Sequence, residues 1–241
     1  MRLVIRSEKF FNNGDLLLPI LTDESGVSVE AGVRAWLNRD YALSIKTRKK
    51  GSGIGATELN KVLRSEMKSS ISGIHGETHV EDGAFFHGGI EGFDFSLYDE
   101  NHNWVRIRNN YIGDPGRFDG KTKLLAINKR VGMNKRDWAK KVSALGGSDG
   151  QSIASHKTRL TIVGELQFGN WALVKHDLLR LLNSSESLDI DYYIYITATG
   201  KLADLLSDGI VTYDKAIGAI DENHRIIKTP LWVIGLDVEE E

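Results

Sequence analysis

The chain has 241 residues, of which 41% are hydrophobic, so it can bury a full hydrophobic core. It contains no cysteine, which excludes disulfide frameworks, thiolate zinc sites and cysteine nucleophiles. No apolar window of about 18 residues is present and charges interrupt the N-terminal run, so we expect a cytoplasmic protein with neither membrane span nor signal peptide. Because no linker-like run divides the sequence, residues 1–241 are predicted to form one domain.

The first half of the chain contains two predicted helices and a predicted hairpin. Thr57 to Ile71 has apolar residues at helical spacing and follows a glycine-rich turn. Phe93 to Arg108 alternates apolar and polar residues on both sides of a polar centre, which is typical of a hairpin. Arg136 to Leu145 is predicted to be a short helix ended by two glycines.

The second half predicts alternating strands and helices. The expected strands are Leu160–Phe168, Ile190–Thr197 and Leu231–Leu236, and the expected helices are Trp171–Leu182, Lys201–Leu206 and Tyr213–Ile220. Strands as apolar as these are buried on both faces. We therefore predict an α/β fold with a mixed central sheet flanked by helices.

Glu165 lies in the predicted strand Leu160–Phe168, and alternation places Gln167 on the same side of that strand. A carboxylate in a buried strand is costly unless it is paired or binds a metal. An ordinary salt bridge would satisfy Glu165. The alternative is a metal site of oxygen ligands, which suits Mg²⁺.

The order of motifs from Leu160 to Leu236 resembles the BglII, BstYI and BamHI group of type II restriction endonucleases, which have the PD-(D/E)XK core. The similar features are the block VGELQFGN, an amphipathic helix, a tyrosine-rich strand and a closing LWVIGL strand. In that family glutamine can replace the usual lysine of the (E/D)-x-K signature, and Glu165-Leu166-Gln167 matches that variant. Asn170 falls where the family has a DNA-contacting asparagine.

The resemblance also implies an upstream aspartate that binds the metal together with Glu165. BglII-like spacing falls near His156, which cannot serve in that way, whereas BamHI-like spacing falls on Asp149. We therefore predict Asp149, Glu165 and Gln167 as catalytic residues, with Asp149 and Glu165 as the metal ligands. Asp94 and Asp119 remain alternatives. Against Asp94, the return strand of its predicted hairpin would carry arginines, which repel a cation.

By this resemblance the chain is expected to be a sequence-specific endonuclease that hydrolyses double-stranded DNA with Mg²⁺ and leaves 5′-phosphates. A homodimer and a cognate DNA methyltransferase of the same restriction-modification system are also expected. The N-terminal half, about residues 1–145, is predicted to add DNA-contacting elements, because Arg117 to Lys141 holds nine lysine or arginine residues against two aspartates. The residues expected to contact DNA are Arg106, Arg108, Lys157, Asn170, Lys175, His176, Asp208 and Gly209.

Two other functions remain open at this point. One is a metalloenzyme of another class, with ligands from the segment His75, Glu77, His79, Glu81, Asp82 and His87. The glycines around that segment favour a polar loop instead. The other is a DNA-binding protein that has the nuclease fold without its activity.

Overall fold

A computed structural model of the chain describes residues 1–48, 51–88, 92–206 and 209–239. The strands in it are β1 (Leu3–Phe11), β2 (Lys46–Arg48), β3 (Gly51–Gly53), β4 (His75–Glu81), β5 (Ala84–His87), β6 (Gly92–Leu97), β7 (Thr161–Leu166), β8 (Ile190–Ala198) and β9 (Leu231–Val238). The α-helices are α1 (Gly14–Leu17), α2 (Val29–Leu37), α3 (Ala56–Ser70), α4 (Glu100–Ile112), α5 (Gly120–Ala126), α6 (Lys135–Leu145), α7 (Leu173–Leu188), α8 (Gly200–Leu205) and α9 (Tyr213–Asn223). None of these helices is long and apolar enough to cross a membrane.

The central sheet has seven strands in the order β1-β9-β8-β7-β6-β4-β5. The pairs β7·β8 and β8·β9 are parallel, and the other neighbours are antiparallel. All six residues of β7 are buried, as expected for a strand covered on both faces. The α/β fold with a mixed central sheet is confirmed.

Helices pack on both faces of this sheet and form two separate cores. On one face α2 and α3 contribute Trp36, Leu63 and Met67 to a core with strand residues such as Ile194. On the other face α7 and α9 contribute residues such as Leu178 and Ile220, which pack on β7, β8 and β9. The three-layer arrangement buries the apolar strands of the second half of the chain.

A third core lies beside the edge strand β5. Trp138 of α6 is fully buried there and donates from its indole N–H to the carbonyl of Leu124 at 2.6 Å. Ile107 and Tyr111 of α4 pack into the same core. The helices α4, α5 and α6 thus form a subdomain inserted between β6 and β7, and the chain returns from it to the centre of the sheet.

The predicted hairpin over Phe93 to Arg108 is wrong in its second half. The first half is β6, but residues 100–112 form helix α4. Asp99 is the N-cap of this helix, and its side chain accepts a hydrogen bond from the backbone N–H of His102 at 2.9 Å. The alternation of apolar and charged residues in Val105 to Arg108 is too short to decide between a strand and a helix. The helical spacing of Asn103, Ile107 and Tyr111, all buried, fits the observed structure.

Strands β6 and β7, which lie on either side of the inserted subdomain in the sequence, pair directly with each other in the sheet. Phe95 is paired with Gly164, and the ring of Phe95 lies where a side chain at residue 164 would be, since a Cβ there would come within 2.1 Å of the ring. Only glycine fits this position without repacking. The same register places the next residues, Asp94 and Glu165, directly opposite each other.

Candidate active site

Asp94 of β6 and Glu165 of β7 form the centre of a buried acidic cluster. Glu165 is 4% exposed, and its carboxyl group lies close to that of Asp94, whose negative charge raises the pKa of Glu165. The second carboxylate oxygen of Asp94 accepts the backbone N–H of Leu166 at 2.7 Å, which fixes Asp94 against β7. Two carboxyl groups held close together in this way favour a bound cation.

A third carboxylate, Asp177 of α7, lies on the other side of Glu165. It is 2% exposed. It accepts hydrogen bonds from the side-chain amide of Gln167 at 2.8 Å and from the hydroxyl of Tyr195 at 3.2 Å. Gln167 in turn accepts the backbone N–H of Gly169 at 3.1 Å through its amide oxygen. Gln167 is therefore held in one orientation beside the cluster.

Two arginines supply the positive charge that the cluster contains. Arg180 of α7 donates to Glu165 at 2.5 Å and to Asp177 at 3.1 Å, and only 19% of its side chain is exposed. Arg64 of α3 pairs with Asp94 and also with Glu77 of β4. Because Arg64 is shared with Glu77, the two guanidinium groups do not balance the three carboxylates of the cluster, of which Glu165 and Asp177 are buried.

The shortage of positive charge affects the pKa values of the two buried acids. Burial raises the pKa of Glu165 well above its usual value of 4.5, the negative charges of Asp94 and Asp177 raise it further, and Arg180 only partly opposes them. Burial also raises the pKa of Asp177, although the hydrogen bond from Gln167 and the charge of Arg180 oppose that effect. The cluster therefore gains free energy from a further positive charge.

The residues present fit a hard divalent cation. The possible ligands are the carboxylate oxygens of Asp94 and Glu165 and the amide oxygen of Gln167. Mg²⁺ is commonly held by one or two carboxylates, with water in the remaining positions. No group of three or more acidic, histidine or cysteine side chains within the described part of the chain is arranged as a complete metal site. Asp94, whose side chain is 18% exposed, gives this pair of carboxylates an edge that water can reach, which suits an ion that keeps several waters.

The family model for "Restriction endonuclease BglII/BglIII" matches residues 91–236, which include every element of this cluster except Arg64 and Glu77. The chain belongs to this family. It is therefore a type II site-specific deoxyribonuclease, as the sequence resemblance predicted. Members of the family generally use a divalent metal ion.

Two solved structures support the same fold. The crystal structure of free BglII has a TM-score of 0.50 and 10% sequence identity, covering 100% of this chain and 82% of that chain. The crystal structure of BglII complexed with a DNA 16-mer has a TM-score of 0.51 and 11% identity, covering 100% of this chain and 80% of that chain. No curated protein sequence matches this endonuclease significantly.

Asp149, predicted as the upstream metal ligand of the endonuclease, does not join the cluster. It lies in an exposed turn after α6 and pairs with Lys121 at 3.2 Å. Asp119, the other alternative, is also exposed and precedes α5. The structure places Asp94 beside Glu165 instead, because residues 98–160 form the inserted subdomain and leave β6 and β7 as neighbours.

Three of the cations expected to contact DNA are engaged within the protein. Arg108 is fully buried and donates to the backbone carbonyls of Ser148, at 2.8 Å, and of Gln151, so the expectation of a DNA contact from Arg108 is corrected. Its role is to hold the segment after α6 against α4. Arg106 pairs with Asp189 at 2.8 Å. Lys157 is half-buried and pairs with Asp191 at 2.5 Å.

The other residues expected to contact DNA lie near the end of β7. Asn170 is exposed, and its side-chain oxygen accepts the backbone N–H of Ala172 at 3.0 Å. The carbonyl of Gly209 accepts the N–H of Trp171 at 2.9 Å, which joins this turn to the segment before α9. Lys175 and His176 are exposed on α7. Asp208 lies outside the described residues.

The histidine-rich segment forms a hairpin of β4 and β5, not the polar loop that its glycines favour. Within the residues that the structure describes, no three of its potential ligands converge on one point. His75 stacks on Tyr98 with ring centroids 4.7 Å apart, while His79 lies beside Glu81. The family model of a restriction endonuclease, reported above, favours the nuclease over a histidine-ligated metalloenzyme at this segment.

Sequence reasoning missed Asp177, Arg180 and Arg64. The carboxylate of Asp177 and the guanidinium of Arg180 follow each other on α7 at a spacing of three residues, which on an amphipathic helix usually indicates a surface ion pair. Asp177 falls between buried positions such as Val174 and Leu178 on the inner face of α7. That position is the signal that could have identified it.

The raised pKa of Glu165 predicts how stability depends on pH. Ionised Glu165 costs folding free energy, and this cost is absent below its ordinary pKa of 4.5 and grows as the pH rises toward the higher pKa of the folded state. In EDTA, Glu165→Gln should therefore raise the melting temperature at pH 8 by about 2–4 °C or more, the shift that ~1 kcal/mol produces at this size. The gain should fall to nearly nothing at pH 4.

Scanning calorimetry of wild type and variant between pH 4 and pH 8 measures this difference. Glu186→Gln is the matched control, because Glu186 lies on the exposed side of α7 and its neutralisation should leave the pH dependence unchanged. A melting temperature that Glu165→Gln lowers at pH 8, or raises equally at every pH, would contradict the assigned cost.

Proposed function

We propose that this endonuclease cuts double-stranded DNA with one Mg²⁺ site formed by Asp94 and Glu165. The observation that carries the proposal is the pairing of β6 with β7, which holds Asp94 against β7 close to Glu165, in a cluster with too little positive charge. Asp94 takes the place that the sequence resemblance gave to Asp149. Glu165 and Gln167 keep the roles that the resemblance implied.

When bound, Mg²⁺ would polarise the scissile phosphate and lower the pKa of water for attack on phosphorus. Asp94 and Glu165 would supply the negative oxygens that hold it. Gln167, fixed by Asp177 and by the N–H of Gly169, would orient the attacking water by hydrogen bonding, since an amide cannot accept its proton as a base would. We expect the products to carry 5′-phosphates, as in the family that the sequence resembles.

We assign base recognition to the turn that contains Asn170 and Gly209. This turn lies at the end of β7, directly after the catalytic strand, and its two segments are joined by the bond between Trp171 and Gly209. The amide nitrogen of Asn170 stays available for a base edge while its oxygen caps the turn. Lys175 and His176 follow on helix α7 and would contact phosphates.

Cleavage of a plasmid in Mg²⁺ tests the assignment of the ligands. Asp94→Asn and Glu165→Ala should each reduce the cleavage rate by roughly a thousandfold or more, because each removes a ligand on which the reaction depends. Asp149→Asn is the matched control and should cleave at the wild-type rate, since Asp149 is exposed and paired with Lys121. Sequencing of the ends would report the recognition site, the stagger and the 5′-phosphates.

Two results would count against this assignment. Loss of activity in Asp149→Asn with retention in Asp94→Asn would return the metal site to the loop after α6. Wild-type protein that binds DNA but never cuts it in Mg²⁺ or Mn²⁺ would instead favour a DNA-binding protein on a nuclease fold.

We also propose that the active form is a homodimer. A double-strand cut needs two active sites, and a two-fold dimer supplies them on a palindromic sequence. Leu173 and Leu179 are 45% and 56% exposed on α7, so the outer surface of this helix is the proposed contact between the two copies.

We also propose that a methyltransferase protects the DNA of the same cell from this enzyme. Expression of the wild-type enzyme without that methyltransferase should arrest growth, whereas expression of Asp94→Asn should not.

Sedimentation velocity tests the dimer. Leu179→Glu should shift the protein toward the monomer, because it places a charge in the apolar contact. Leu16→Glu should not, since Leu16 is 72% exposed elsewhere on the surface. A wild-type monomer both free and on its cleavage site would refute the dimer.

A further inference from the structure

A polar groove of about 610 Å³ lies between α3 and β4, next to the acidic cluster. Its wall on α3 is formed by five polar side chains, and β4 contributes Gly76 and Glu77 opposite them. The α3 residues are Thr57, Asn60, Lys61, Arg64 and Ser65. Their spacing places them on one face of the helix, while Leu59, Leu63 and Met67 anchor the other face in the core. The groove therefore has a rigid polar wall.

Several polar groups in this wall have unused bonding capacity. The Nε–H of Arg64 and the side-chain oxygen of Asn60 are buried and have no hydrogen-bond partner among the described residues. Lys61 is exposed, and no ion pair links it to another residue in the described part of the chain. A buried N–H without an acceptor costs free energy, which an incoming anion would recover. The unmet acceptor on Asn60 can be satisfied by a bridging water.

Arg64 connects the groove directly to the active site. Its two terminal nitrogens contact Asp94 and Glu77, and its Nε remains without a partner. A guanidinium group has five N–H donors and binds phosphate oxygens in pairs. A cation held by Asp94 would weaken the attraction between Arg64 and Asp94, which frees one edge of the guanidinium for another anion.

We propose that this groove binds a backbone phosphate of the DNA strand being cut, next to the scissile phosphate, and that Arg64 transfers to that phosphate from Asp94. Lys61 adds positive charge on the exposed side of the same groove. The inference rests on the proposed role of Asp94 as a metal ligand. It adds a substrate contact outside the part of the chain that the family model matches, because α3 precedes residue 91.

Neutral methylphosphonates, placed one at a time along a duplex with the mapped cleavage site, locate the contact. Binding is measured in Ca²⁺, with both strands shown to stay intact. One substitution next to the cut should weaken wild-type binding by about tenfold, as expected for loss of a charge-assisted hydrogen bond. Arg64→Gln should bind the unmodified duplex about tenfold more weakly and be insensitive to that one substitution. In EDTA the penalty should disappear from wild type, because Arg64 then stays on Asp94.

Arg159→Gln is the matched control. The side chain of Arg159 is 28% exposed, close to the 30% of Arg64. Arg159 precedes β7 in the sequence, pairs with Glu24 and does not line the groove. This variant should keep the wild-type methylphosphonate profile. If Arg64→Gln melts below the assay temperature, Lys61→Ala, a change at an exposed position, should reduce the same penalty.

An unchanged methylphosphonate profile in Arg64→Gln, or in folded Lys61→Ala, would overturn the proposed groove contact while leaving the cleavage site intact. A penalty of equal size in EDTA and in Ca²⁺ would overturn the transfer from Asp94. A wild-type protein that neither binds nor cuts any duplex would instead refute the proposed function itself.

Discussion

The burial of Glu165 and Asp177 next to a third carboxylate, that of Asp94, is the constraint on which the rest of the site depends. Glu165, Asp94 and Asp177 lie within a shell of protein that raises the pKa of Glu165 and of Asp177. Each feature around them reduces this cost: Arg180 bridges two of them, Arg64 pairs with the third, and Tyr195 and Gln167 donate hydrogen bonds. These partners lower the cost without removing it, and the remaining cost favours a bound cation.

The same constraint explains why the site is built on the central strands. A cluster of like charges has to be held together by elements that cannot move apart, and β6 and β7 are fixed by their neighbours on both sides and by cores above and below. The ring of Phe95 over Gly164 locks the register that sets Asp94 against Glu165. The acidic cluster therefore destabilises the fold, and the apolar residues packed around it offset that cost.

Part of this site could be predicted from the sequence, and part could not. Glu165 and Gln167 were identifiable because they interrupt an otherwise apolar strand. Asp94 was named only as an alternative to Asp149, because its position beside Glu165 depends on strand pairing across the insertion of residues 98–160, and spacing along the chain does not report that pairing. The short alternation at Val105 to Arg108 also suggested a strand where Asp99 begins a helix. The strands and helices after residue 160 were predictable, since their apolar periodicity is long and regular.

The central claim is that Asp94 and Glu165 hold the metal ion, and a crystal soaked with Mn²⁺ tests it most directly. The anomalous scattering of Mn²⁺ should give a peak between these two carboxylates, with the guanidinium groups of Arg180 and Arg64 displaced from their present contacts. A peak at Asp149, or no peak at millimolar Mn²⁺ with the contact between Arg180 and Glu165 intact, would contradict the account.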